Sequence, residues 1–245
     1  MLSLGSGAPG CGKSSQHVYL CKVLPNALYL CMESKDIETL EGSGVEYKII
    51  TKLNDDYLED PVLTLSDLKM TIHDIIKSNK YRNIVLDGVS DIRKYAAAEW
   101  IYKDNQDRLR KQMRPRETIS GENKSAWHEI NERVKGILRP VINWANITRN
   151  NVFFTAQLKD EYLNDKKVGK VINVGEWCEY DVDCKFEFTH PTLDSYKIKI
   201  TKLPRWANDT GVYEVDSILD VGFLSVLSER GLLKERKVVS NETKV

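Results

Sequence analysis

Residues 7 to 14 read Gly-Ala-Pro-Gly-Cys-Gly-Lys-Ser, an unbroken G-x-x-x-x-G-K-S spacing, with apolar Leu2 and Leu4 before it and a helix-compatible run from Ser15 after it. A strand, a glycine-rich turn and a helix in that order restrict the chain to an α/β arrangement with the turn at the edge of the sheet. The glycines let backbone N–H groups curl around phosphate oxygens. Lys13 then reaches the β- and γ-oxygens, and the Ser14 hydroxyl is a ligand for Mg²⁺. The following helix turns its positive end toward the same anion. Gly7, Ala8, Pro9, Gly10, Cys11, Gly12, Lys13, Ser14 and Ser15 are therefore the expected nucleotide contacts, and ATP with Mg²⁺ the expected ligands.

With 245 residues, 41% apolar and 29% charged, the chain has enough material for one sizeable core and none of the bias of a disordered or fibrous sequence. A single α/β domain is expected over 1–233, followed by a charged tail over 234–245. The formal net charge is zero, so contact with nucleic acid requires a local basic patch. No apolar run is long enough to span a bilayer, and the first residues lead directly into the loop, which predicts no signal peptide, no membrane and a cytoplasmic protein. The five cysteines form no C-x-x-C pair and no zinc spacing with histidine, so reduced, mostly buried thiols are expected.

Along the chain, the pattern predicts a helix over 15–24 ended by Pro25, and a buried strand over Ala27–Met32. A weaker strand follows over Val45–Ile50, then a helix through Leu65, Leu68, Ile72, Ile75 and Ile76, capped at Ser66. Asn83–Asp87 reads as another buried strand. Trp127, Ile130, Val134, Ile137, Leu138, Val141, Ile142 and Ala145 mark one face of a long helix in which Pro140 should introduce a bend. Val152–Ala156 is a further strand. Lys185–Thr189 and Tyr196–Thr201 read as an antiparallel hairpin turning at His190-Pro191, and a last helix starts at Asp220 and is capped by Gly231.

Acidic and polar residues stand at the ends of these strands. Asp87, after Ile84-Val85-Leu86, is placed to hold Mg²⁺ beside the loop. Glu33, just after the strand that follows the loop's helix, suits the activation of a water for hydrolysis. Gln157 suits a hydrogen bond to the γ-phosphate. Lys199, Lys202 and Arg205 cluster at the hairpin strand, where a cation can reach nucleotide held by a neighbouring subunit. One dense basic stretch contains Arg108, Arg110, Lys111, Arg114 and Arg116. With Lys159, Lys166, Lys167 and Lys170 beyond Gln157, it predicts two basic loops at one sheet edge facing single-stranded nucleic acid, with Tyr162 and Trp177 available for stacking.

Taken in order, Gly7–Ser14, Glu33, Asp87, Phe153–Gln157 and the hairpin with Lys202 and Arg205 resemble the RecA-like ATPase core. The compact form is most similar to the small RecA-like ATPases of phages and other viruses implicated in single-strand annealing and recombination. The resemblance implies a mainly parallel sheet flanked by helices with a C-terminal antiparallel hairpin, Glu33 as catalytic base, Gln157 as γ-phosphate sensor, Lys202 and Arg205 acting in trans, and a ring or filament of identical subunits. The loop also resembles that of adenylate kinases, which implies phosphoryl transfer to a nucleoside monophosphate. Here, however, Asp87-Gly88 continues as Val-Ser-Asp-Ile without the Pro-Arg expected of those kinases, and no arginine-rich lid motif follows. A viral genome-packaging ATPase is a third possibility.

Overall fold

The computed structural model describes residues 1–33, 40–121, 123–163, 166–174, 178, 181–192, 195–203, 213–217, 222–229 and 231–232. The chain opens with β1 (Leu2–Gly7), passes through the glycine loop into α1 (Lys13–Val23), and returns as β2 (Ala27–Cys31). Leu24 leaves the helix in extended conformation ahead of Pro25, where proline has no N–H to continue the ladder. Then come β3 (Tyr47–Ile49), α2 (Pro61–Ser78), β4 (Asn83–Asp87), α3 (Val89–Arg110) and α4 (Lys124–Thr148), which contains Pro140. The remainder is β5 (Asn151–Leu163), β6 (Lys166–Ile172), β7 (Cys184–Thr192), β8 (Ser195–Lys202), β9 (Tyr213–Ser217) and α5 (Gly222–Glu229).

The strands form one sheet in the order β3-β2-β4-β5-β1-β7-β8-β9, with β6 attached to β5. From β3 through β7 every pairing is parallel, whereas β8, β9 and β6 pair antiparallel. The protein is thus an α/β structure with a mostly parallel sheet and a C-terminal antiparallel hairpin. Two cores explain why the central strands are almost wholly apolar, since a parallel strand covered on both faces must be greasy on both. Even-numbered positions such as Leu4, Leu30, Leu86 and Phe154 join the residues of α2, α3 and α4. Odd-numbered Tyr29, Cys31, Val85 and Phe153 lie with Val18 and Leu20 of α1 and Phe223 and Leu227 of α5.

Several boundaries differ from expectation. The cap of α2 is Asp60, whose carboxylate accepts from the Leu63 N–H at 2.9 Å with Pro61 in the first turn; Ser66 lies inside the helix. His190 and Pro191 belong to β7, which runs on to Thr192 with Thr192 paired to Ser195, so they are not the hairpin turn. The strand of Gln157 does not end there. It runs on to Leu163 because β6 supplies backbone partners after β1 and β4 have stopped, so Lys166, Lys167 and Lys170 lie on a strand and not in a loop. The final helix opens at Gly222, and Gly231 takes the left-handed conformation after it (φ 60°), with the Leu232 N–H returning to Leu227 O at 2.8 Å. Asp220 and the 234–245 tail lie outside the described residues. No helix among the described residues is long and apolar enough to cross a membrane. All five cysteines are free thiols and buried, and burial pushes Cys21 and Cys184 up to about 12.

Candidate functional site

The carboxyl ends of β1, β2, β4 and β5 come together at one edge of the sheet, and the loop between β1 and α1 crosses that edge. Parallel pairing sets Gly7 opposite Gln157 and Cys31 opposite Asp87. Pleating then directs the odd-numbered residues to the face covered by α1. Gly7 has no room for a side chain, because a Cβ there would stand 2.5 Å from both Cys11 Sγ and Phe188 O. Gly10 (φ 76°) and Gly12 (φ 83°) supply the left-handed turns that wrap the loop. Helix α1 opens on Gly12 with no side-chain cap and no acid in its first turn, so the positive end of its dipole is not neutralised locally. The Lys13 ammonium folds back on the loop, donating to Gly7 O at 2.9 Å and Ala8 O at 2.8 Å and lying 3.5 Å from Cys11 Sγ.

Asp87 is 2% exposed and held from two sides. The Tyr29 hydroxyl donates to Oδ2 and the Thr155 hydroxyl to Oδ1, while Thr155 Oγ1 accepts the Gly88 N–H at 2.9 Å. Neither Tyr29 nor Thr155 is marked by motif, since each reads as one more residue of a buried strand. Their signal is phase: like Asp87, both occupy odd positions of core strands. Gly88 (φ 89°) begins α3, and a Cβ on it would meet Met32 Cβ at 3.0 Å and Glu33 Cγ at 3.3 Å, so the close approach of two strand ends depends on this glycine. Gln157 Nε2 donates to Glu33 Oε1 at 2.9 Å, its backbone N–H to Ser90 Oγ at 2.8 Å, and its carbonyl accepts the Asn173 N–H at 3.0 Å. His17 is fully buried one turn beyond Lys13, its Nδ1 2.7 Å from Lys13 O. Burial depresses its basicity more than the Lys13 carbonyl and the Asp87 charge restore it.

Ser14 and Asp87 are hydroxyl and carboxylate oxygen donors of the kind a hard Mg²⁺ ion takes. Among the described residues no group of three or more His, Cys, Asp or Glu gathers as an all-protein metal cage.

Other expected site residues lie elsewhere. Lys202 pairs with Lys185 near the start of β7, at the edge opposite the loop, and its ammonium donates to Val182 O at 2.5 Å. Arg205, Trp177 and the side chains of Tyr162, Lys166, Lys167 and Lys170 lie outside what the structure describes. The Arg108–Arg116 stretch is not at the loop's edge. Helix α3 leaves that edge at Gly88 and carries Arg110 about 30 Å away at about 1.5 Å per residue. There, Arg108 Nε donates to Arg114 O, Arg110 pairs with Asp107, and Arg116 pairs with Asp104 at 3.2 Å. Arg93, in the second turn of α3, is a basic residue near the loop's edge that the density of charge in the sequence did not single out.

No known protein family and no curated protein matches this chain.

Proposed function

We propose that this protein is a Mg²⁺-dependent ATPase of RecA-like architecture that couples ATP binding and hydrolysis to single-stranded DNA, acting as a homo-oligomer. The observation that supports the reading is the hydrogen bond between Gln157 and Glu33 at the edge that also carries the glycine loop, Gly7 standing opposite Gln157. When bound, Mg²⁺ would neutralise phosphate oxygens and favour attack at the terminal phosphorus. Ser14 and Asp87 would hold it. Lys13 would exchange its bonds to Gly7 O and Ala8 O for phosphate oxygens, and the α1 N–H groups would bind the same anion.

Glu33 then takes a proton from the attacking water as the new P–O bond forms and the bond to the ADP oxygen breaks, leaving ADP and phosphate. Gln157 is shared between that carboxylate and the phosphate, which ties base orientation to nucleotide state. The expected test is phosphate release from ATP with and without oligo(dT), with AMP supplied in a parallel reaction. Lys13→Ala should abolish turnover, and Glu33→Gln should keep ATP binding and lose hydrolysis by on the order of 100-fold or more. Full activity of Glu33→Gln removes it as the base. ADP formed from ATP and AMP without phosphate release would replace hydrolysis with monophosphate kinase chemistry.

A further inference from the structure

Among the described residues, Arg133 pairs with Glu99, Arg116 with Asp104, and Lys48 with Asp67. Arg93 has no acidic partner among them. It sits half-buried in the second turn of α3, its guanidinium 4.8 Å from the centre of the Trp127 ring, with one N–H donated to Asn173 Oδ1 at 3.3 Å. Its Nε is buried without a hydrogen-bond partner. Lys159 stands two residues beyond Gln157 and has no carboxylate partner among the described residues. Burial depresses both cations, and the charge of Arg93 depresses Lys159 further. Asp91 in the first turn adds its field to Lys94. Two like charges drawn together with no acid beside them among the described residues are what an anion site requires, because the counter-charge is then the ligand's.

We propose that Arg93 and Lys159, with Trp127 beneath the guanidinium and Asn173 steering it, seat the phosphodiester backbone of single-stranded nucleic acid beside Gln157. The inference rests on the nucleic-acid half of the proposed function, not on the hydrolytic half. The nucleotide's own phosphates already have Lys13 and the glycine loop, and α3 packs on the sheet face opposite α1. A planar guanidinium backed by an aromatic ring matches the mixed phosphate and base surface of a single strand. The Asn173 backbone N–H also holds the Gln157 carbonyl, so the seat and the amide facing Glu33 share one short stretch of backbone hydrogen bonding.

The test is anisotropy of labelled oligo(dT) on the intact chain without nucleotide, through a salt series, with tryptophan emission recorded in parallel. Arg93→Ala combined with Lys159→Ala should weaken binding and reduce the slope of log K against log salt by about 1.4, at about 0.7 per phosphate contact. Lys159 is only partly desolvated and its side chain reaches the surface, so Lys159→Ala tests half of that slope without threatening the fold. Arg93→Lys should keep the slope, and Trp127→Phe should remove the emission change on binding. Lys13→Ala should bind oligo(dT) as the parent does while losing a fluorescent ATP analogue. An unchanged slope in the double variant overturns the seat, as does a parent that binds no oligo(dT), or a double variant that loses the ATP analogue and keeps oligo(dT). Retention of the analogue by Lys13→Ala together with loss of oligo(dT) by the double variant supports the seat and counts against the assigned nucleotide site instead.

Discussion

Replacing Tyr29 by Phe removes one oxygen from the centre of the molecule and nothing else. The Tyr29 ring is fully buried, and its hydroxyl donates to Asp87, itself only 2% exposed. The phenylalanine ring fills the same space, so no cavity term of consequence arises and the change isolates one hydrogen bond to a buried carboxylate. Such bonds contribute about 1.5–3 kcal/mol, because water cannot reach the abandoned oxygen. For a chain of this size each kcal/mol moves the melting midpoint by about 2–4 °C, so the expected fall is about 3–12 °C. Urea unfolding should show a lower midpoint at unchanged m-value. Thr155→Val should cost more, since it also strips the acceptor from the Gly88 N–H, while Thr155→Ser keeps both bonds. In an Asp87→Asn background the cost of Tyr29→Phe should shrink, as the charge that made the bond strong has gone. A Tyr29→Phe protein within about 0.5 kcal/mol of the parent would refute the view that Asp87 is pinned by this hydroxyl.

Glu99 is buried on α3. Desolvation alone would raise its pKa, but the ammonium of Lys103 at 2.8 Å and the guanidinium of Arg133 at 3.1 Å outweigh it and hold the carboxyl below its ordinary value. Its stabilising contribution is therefore present above the unfolded carboxylate value of about 4.3 and is lost as pH falls through the lower folded value. The stability difference between the parent and Glu99→Gln should be largest at neutral pH and shrink as pH falls below the ordinary carboxylate range through the lower folded value, and a pH-independent difference counts against the ion network. Asp60→Ala should cost about 0.5–2 kcal/mol through loss of the α2 cap, whereas Ser66→Ala on the exposed side of the same helix should change stability by less than about 0.5 kcal/mol. Equal effects of the two substitutions would contradict the cap assignment.

What was legible in the sequence follows from how many covered faces an element has. Asn83–Asp87 is an unbroken apolar run closed by an acid, and its bounds are as expected because both sides of the strand meet a core. β6 escaped notice for the opposite reason: Lys-Lys-Val-Gly-Lys-Val-Ile is a strand held by its pairing with β5, with too little apolar content to announce itself. Periodicity located the body of α2 at Leu65 but not its start, since Asp60 acts by accepting the Leu63 N–H and Pro61 by its fixed φ in a turn that needs no N–H, and neither leaves an apolar trace. In the candidate site, Lys13, Asp87 and Glu33 were readable at the loop and at strand ends, and Gln157 at the end of the apolar run within β5. Tyr29 and Thr155 were not, because their roles depend on which strands are neighbours, and the insertion of β5 between β1 and β4 is a fact of topology. The displacement of the Arg108–Arg116 stretch has a similar cause, as its distance from the loop is set by the unbroken length of α3.

β5 is a single piece of extended backbone that begins in the middle of the sheet and ends outside it, with Gln157 at the point of exit. From Gln157 to Leu163 is about 20 Å at about 3.3 Å per residue, stiffened by β6 apart from the irregularity at Glu161/Tyr162. That makes the hairpin a lever whose fulcrum is the residue touching Glu33. A tilt of about 5° swings its tip through nearly 2 Å, over a length set by the strand rise. The same tilt barely moves the fulcrum but turns the direction of its amide. A load on this arm would thus reach the Gln157–Glu33 hydrogen bond as a change of angle, and the bond weakens steeply only once that angle falls below about 120°.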